Sequence, residues 1–420
     1  MHPATKFVIT RALREGSIMF IALTYAPFLN GIGVTPPLMS YINAAYTTTM
    51  LLAQVPTGVI ADRFGRGLSL KIGITLLTLG HIAYAFACGF WSALLFEMLV
   101  GLGLAFCSGA DEAWITSALA ARGESSKLDA TFANTQTAFA FTAIATGSLG
   151  GLVAAYDLRW PWVGAAVLSA ASAVLTYAWM NDPRTDGAGT DQTRTDANPH
   201  AEQPKIAEKA DEGKHGYLSD SLSILRRTPA LQWIVALQCV MALSIPFFHY
   251  FPLVFRIRIG ADRLPLAWVF IFGASALGSI MVRTFNRHLS NGLGVAILSS
   301  APIVTGLGLI VLGKAGSVSG LLVGSVMLEA AHGTRSAALP AFVQRRVGEK
   351  YRATFGSLQA LITGTWQTAL LVAVGGILAT RPNGVASICS LWWQLGILMV
   401  AGGAILAVFR PKSVRPRSVR

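Results

Sequence analysis

The chain has 420 residues, of which 53% are hydrophobic and only 13% charged, with a net charge of +13. Soluble domains carry about a quarter charged residues, so this balance excludes an ordinary soluble protein and points to the membrane. Cys88, Cys107, Cys239 and Cys389 all fall in apolar stretches without metal-ligand spacing. They read as small packing residues, with no metal or cofactor implied.

The N-terminus, "MHPATKFVITRALREGS", is basic and polar, and no cleavable signal pattern follows it. A helix needs about 20 apolar residues to cross a bilayer. Such stretches lie near 16–35, 39–60, 68–88, 91–119, 131–155, 161–180, 231–254, 264–285, 293–313, 317–342, 355–379 and 386–409. They predict an all-α membrane protein with twelve spans. Residues 181–222 are polar, mixed in charge and poor in large apolar side chains, so they read as a flexible linker. The expected organisation is a six-helix bundle (1–180), the linker, and a second six-helix bundle (223–420).

Charge is placed asymmetrically. Arg159, Arg256, Arg258, Arg263, Lys314 and Arg381 fall in connections on one side; Arg335 lies inside a span, and the other Lys and Arg share the side of the termini. The positive-inside rule then puts both termini in the cytoplasm and the chain in the inner membrane. The basic balance reports this topology, so no nucleic-acid partner is expected.

The two halves resemble each other. "GADEAWITSALAARGE" (109–124) aligns with "GTRSAALPAFVQRRVGE" (333–349), and "DATFANTQ" (129–136) aligns with "RATFGSLQ" (352–359). "YAPFLN" (25–30) and "IPFFHY" (245–250) give a fainter echo in spans one and seven. Parallel repeats of this kind are a secondary-transporter architecture, with the substrate site between the halves. The alignment sets Asp111 against Arg335 and Asp129 against Arg352. An unpaired intramembrane charge costs about 2.5–3.5 kcal/mol, so the expectation is a cytoplasmic gate in which these acids and bases pair across the halves.

Between spans two and three stands "GVIADRFGRG" (58–67). Gly58 and Gly65 permit a tight reversal, and Asp62 can accept from Arg66 or from exposed backbone N–H groups. Gly58, Asp62, Arg63, Gly65 and Arg66 stand as in the signature loop of the major facilitator superfamily, which the chain resembles along nearly its whole length. The resemblance implies alternating access, with this loop latching the cytoplasmic side closed.

Span four reads "EMLVGLGLA" (97–105). Gly101, Gly103 and Ala105 fit a family pattern whose arginine is replaced here by Glu97, so proton coupling does not carry over from that arginine. On a continuous helix Glu97, Gly101, Ser108 and Asp111 share one face, with Glu112 near its edge. A polar stripe on a membrane helix faces the interior, and a partly desolvated acid there can exchange a proton. In span ten Glu329 and His332 form a second candidate proton site, or else a network that holds Arg335. Span five has Gly147 and Gly151 at the spacing of close helix packing, without the proline common in proton-coupled exporters. Tyr25, Phe28, Asn30, Phe247, His249 and Tyr250, in spans one and seven, suit an amphipathic ligand. The expected substrate-binding set adds Glu97, Glu329, His332 and Arg335.

The leading expectation is proton-coupled efflux of an amphipathic small molecule or drug by a transporter that is not an enzyme and works as a monomer. "SGADEAW" with "RAT" opening span eleven looks like a branch with many presumed exporters. The alternatives are transport of a polar metabolite such as a siderophore or organic anion steered by Arg335, and a non-transporting receptor on the same fold.

Overall fold

The structure, a computed structural model, describes residues 1–181, 225–285, 291–344 and 352–411. The linker from residue 182 onward lies outside the described residues. Everything regular among the described residues is helical.

Among the described residues the long helices group into twelve rods. The first is Pro3–Ile21 continued by Tyr25–Gly31, followed by Pro36–Phe64 and Arg66–Tyr84. The fourth is Phe90–Cys107 continued by Ala110–Ala120, and Leu128–Val153 and Trp160–Trp179 complete the first half. The second half holds Pro229–Met241 continued by Ile245–Ile259, then Leu264–Phe285, Asn291–Lys314, Val318–Gln344, Arg352–Ala379 and Val385–Val408. Proline opens several of them, at Pro3, Pro36, Pro161, Pro229 and Pro246, where its missing N–H costs nothing and its φ is already helical.

The faint echo between the halves marks a shared break. "YAPFLN" and "IPFFHY" each open the second segment of a divided rod, at Tyr25 and at Ile245. The first rod also starts earlier than hydropathy suggests. His2 caps it by accepting the Ala4 N–H at Nδ1, so Arg11 and Arg14 sit within the helix.

Among the described residues, eight helices are apolar and long enough to cross a membrane by composition alone. Spans one, two, five and ten are not among them. These four each contribute polar side chains to the central chamber: Tyr25, Asn43, Gln136 and Glu329 among them. Their lower hydropathy reflects a face that meets protein and water instead of lipid.

Within the first half, span one packs on spans five and six, span four on spans two and three, and span three on span six. The second half repeats this with span ten on spans eight and nine, and span twelve on span nine. The halves meet along spans two and eleven, and along spans five and eight. At Gly147 the approach is so close that a Cβ would lie 2.4 Å from Trp268 Nε1. The glycine pair of span five therefore serves the seam between the halves, Gly151 facing Pro265.

Candidate functional site

A chamber of about 750 Å³ lies between the halves. It is sealed at the end away from the linker. There the Tyr250 hydroxyl is 2.7 Å from Pro36 O and 2.5 Å from Ser40 Oγ, joining span seven to span two. Trp268 Nε1 donates to Ala143 O at 3.0 Å, joining span eight to span five. A Cβ at Gly375 would lie 2.8 Å from the Tyr41 ring.

The wall is largely aromatic. Tyr84 and Trp162 stack face to face at 3.9 Å, and Tyr25 meets both at their edges. Opposite them Trp268 lies 4.4 Å from Phe272, which touches Phe139 across the seam. Two carboxylates face this space, Glu97 at 8% exposure and Glu329 at 4%. Glu97 accepts a hydrogen bond from the Tyr84 hydroxyl. The Tyr25 hydroxyl approaches the same carboxylate without meeting hydrogen-bond geometry. His81 is wholly buried at the wall, its Nδ1 3.2 Å from Ser169 Oγ and its Nε2 without a partner.

Of the residues singled out for substrate, the chamber gathers Tyr25, Glu97, His249, Glu329 and His332. Five others are placed elsewhere. Phe28 is buried in the aromatic cluster of the first half, 5.5 Å from Trp162. Asn30 is exposed at the sealed end. Phe247 packs on Phe251 and Trp392 inside the second half. Tyr250 clasps the halves together. Arg335 is half-buried, outside the chamber lining, with its Nε partnerless.

In this conformation Asp111 is paired within its own half. Asp111 is 5% exposed and lies 2.9 Å from Arg14 and 3.5 Å from Arg11, both on span one. Glu112 is exposed and meets Arg11 at 3.6 Å. The physical reason is the break in span four. Gly109 takes φ +75°, ends the continuity of the helix and re-aims the segment Ala110–Ala120, so Asp111 leaves the face that carries Glu97. Asp129 and Arg352 lie on helices, but their side chains fall outside the described residues.

Gly65 turns the chain with φ +107° as its spacing requires. Arg66 donates to Ala113 O at 2.8 Å and to Ser117 Oγ at 2.5 Å, holding the segment after the break. Asp62 and Arg63 are exposed, and Gly58 has open space around it. Beyond the membrane, Glu124 receives Lys127 at 2.7 Å and His2 at 2.6 Å. These two partners hold its carboxyl at about 2.

Sequence reasoning missed His81, Tyr84, Trp162, Trp268 and Phe272. Their only signal was a helical period that membrane helices blur. Arg11 and Arg14 had a clearer one, two cations a turn apart with only apolar residues between them.

The family model of the Major Facilitator Superfamily matches residues 8–367. The chain belongs to the major facilitator superfamily. No curated protein sequence matches it significantly. Among solved structures, a variant of the nucleoside transporter NupG is 12% identical with a TM-score of 0.78, covering 98% of this chain and all of that one. A D-xylose–proton symporter is 13% identical with a TM-score of 0.72, covering 99% of each chain. A POT family transporter, PepTSo, is 13% identical with a TM-score of 0.69, covering 98% of each. At such identity the likeness carries the fold, which is a multi-pass membrane transporter fold. The exposed apolar belt, Leu95, Val167, Leu277 and Leu398 among others, fits that setting.

Proposed function

We propose that this superfamily member is a secondary active transporter that exports an amphipathic small molecule in exchange for protons. The observation that carries the reading is a chamber between the halves, sealed at the end away from the linker, in which two buried carboxylates face an aromatic wall. A bare carboxylate in such a place is costly, so it is occupied either by a proton or by a ligand that satisfies it. Two occupants competing for one carboxylate give exchange, and an inward proton gradient then drives the other occupant outward. Glu97 and Glu329 are the proton sites in this scheme. Asp111 is engaged by Arg14 and Arg11 and is a structural charge.

With the termini cytoplasmic in the inner membrane, the sealed end is the outer one and the conformation is inward-facing. Tyr250, Ser40 and Pro36 then form the outer gate, and rocking of the halves opens it. The organic-anion reading loses its support because Arg335 does not line the chamber.

The test uses the full chain in sealed vesicles with an imposed pH gradient and a panel of amphipathic compounds. At least one compound is expected to move protons against its own flux. Glu97→Gln is expected to retain binding and lose the proton movement. No coupled movement with any compound, in either gradient direction, removes the reading.

A further inference from the structure

We infer that the Tyr84 hydroxyl is the positioning group that lets Glu97 exchange its proton in place. It donates to the ionised carboxylate, and it accepts from the protonated one while its own proton turns to Ala93 O. This rests on Glu97 being a proton site of the exchange.

A buried carboxylate that exchanges protons has to be satisfied in two states that need opposite partners. The ionised form only accepts, whereas the protonated form has an O–H to donate. A fixed donor such as a backbone N–H serves the first state and leaves the new O–H of the second without a partner. A hydroxyl serves both, provided its own proton has a second place to go. Tyr84 has that place. Its oxygen is within hydrogen-bond geometry of Glu97 Oε2 and lies 3.1 Å from Ala93 O. Ala93 stands one turn before Glu97 on the helix Phe90–Cys107, so the two acceptors keep their spacing. With Glu97 ionised, the phenol proton points at Oε2. With Oε2 protonated, that proton points at the phenol oxygen and the phenol proton turns to Ala93 O. The phenol O–H bond never breaks; only its torsion changes.

The ring is held where this works. Tyr84 is wholly buried, stacks on Trp162 at 3.9 Å with 5° between the planes, and meets Phe28 and Phe96 edge-on at 6.4 and 6.0 Å. Glu97 keeps 8% exposure and lines the chamber, so protons and ligands reach it from there. The other titratable groups around it are Tyr25 of span one, Tyr46 of span two and His81 of span three, with His249, Glu329 and His332 from the second half on the same chamber. No Lys or Arg stands among the described residues that line it. The hydrogen bond from Tyr84 therefore stands in for an ion pair.

A hydrogen bond to a charged group is about twice as strong as a neutral one. Losing the hydroxyl penalises ionised Glu97 more than protonated Glu97, and the difference corresponds to about one pH unit. Without the hydroxyl Glu97 holds its proton more tightly, so the midpoint of its titration moves up by about that much.

The test is infrared difference titration of the full chain in lipid nanodiscs. The Glu97 carboxyl band is the one that Glu97→Gln removes. Tyr84→Phe keeps the ring and its stack on Trp162, and its Glu97 midpoint is expected about one pH unit above wild type. Tyr25→Phe is expected to move it less, since the Tyr25 hydroxyl has no hydrogen-bond partner. Wild-type protein carrying isotope-labelled tyrosine supplies a second readout. A phenol C–O band should change with the same midpoint as Glu97 and stay still in Glu97→Gln, which decides the matter even where Tyr84→Phe fails to fold. An unmoved or lowered midpoint in folded Tyr84→Phe, or no tyrosine band that follows Glu97, overturns the inference and leaves proton exchange standing. A larger shift in Tyr25→Phe transfers the role to Tyr25 and overturns it too. If Glu97→Gln removes no titrating band, the proton site itself falls, and the function reading with it.

Discussion

Replacing Arg14 by Met leaves Asp111 buried with Arg11 as its remaining cation, 3.5 Å away and better exposed than Arg14. At an effective dielectric of about 20, the 2.9 Å Arg14–Asp111 contact is worth about 6 kcal/mol of attraction before desolvation. Desolvation of both groups cancels most of this in the native protein, yet removing one partner is still costly, about 3–5 kcal/mol, because the other charge stays buried. Arg11 is able to move in and recover part of it, which sets the expectation for Arg14→Met at about 2–3 kcal/mol. Asp111→Asn removes the acid from two cations, and its cost is expected nearer 4 kcal/mol. The combined variant should cost less than the sum by at least about 1.5 kcal/mol, since each change removes what the other left unpaired. Reversible unfolding in mixed detergent micelles measures all four corners of this cycle. A second cycle, Asp111→Asn with Arg335→Met, is expected to show coupling below about 0.5 kcal/mol. Stronger coupling to Arg335 than to Arg14 refutes the assignment and restores a gate between the halves.

Two more outcomes follow from named contacts. Tyr250→Phe removes the hydroxyl shared by Pro36 and Ser40, which costs the sealed end about 1–2 kcal/mol and shifts the open-to-sealed ratio about five- to thirtyfold; spin labels at Asn30→Cys and Arg263→Cys should report a longer distance, and an unchanged distribution counts against Tyr250 as a gate. Glu124→Gln frees the start of span one from the loop after span four, read as faster amide exchange over residues 3–7. The wild-type tie involves a carboxyl held at about 2, below its unfolded value, so its contribution is complete above the ordinary carboxylate range and is lost only as pH falls through about 2. Exchange that accelerates already between pH 7 and 5 would contradict that tie.

The twelve-span plan was readable because lipid imposes one rule along the whole chain, and composition answers it directly. The signature loop was readable for a similar reason, since Gly65 must turn at positive φ and few residues do so. Side-chain partners were less legible. Asp111 stood among apolar neighbours, and the internal repeat offered Arg335 as its mate. The repeat is a statement about backbones, which the structure honours even in the paired breaks at Tyr25 and Ile245. It says nothing about which face a side chain takes once a helix is interrupted, and Gly109 interrupts this one.

The same distinction explains why spans one, two, five and ten are not apolar enough to count as membrane helices by composition alone yet carry much of the site. Hydropathy scores a helix as though lipid surrounded it. A helix lining a chamber keeps one face for lipid or packing and gives the other to Tyr25, Asn43, Gln136 or Glu329. In a chain of this class the helices that fall short of a spanning threshold are therefore the ones to search first for the site. His81 marks the limit of that rule, because its helix is apolar enough to pass and a single imidazole leaves no trace in an average. What singles it out is its setting: a wholly buried ring beside Ser169 whose Nε2 has no hydrogen-bond partner.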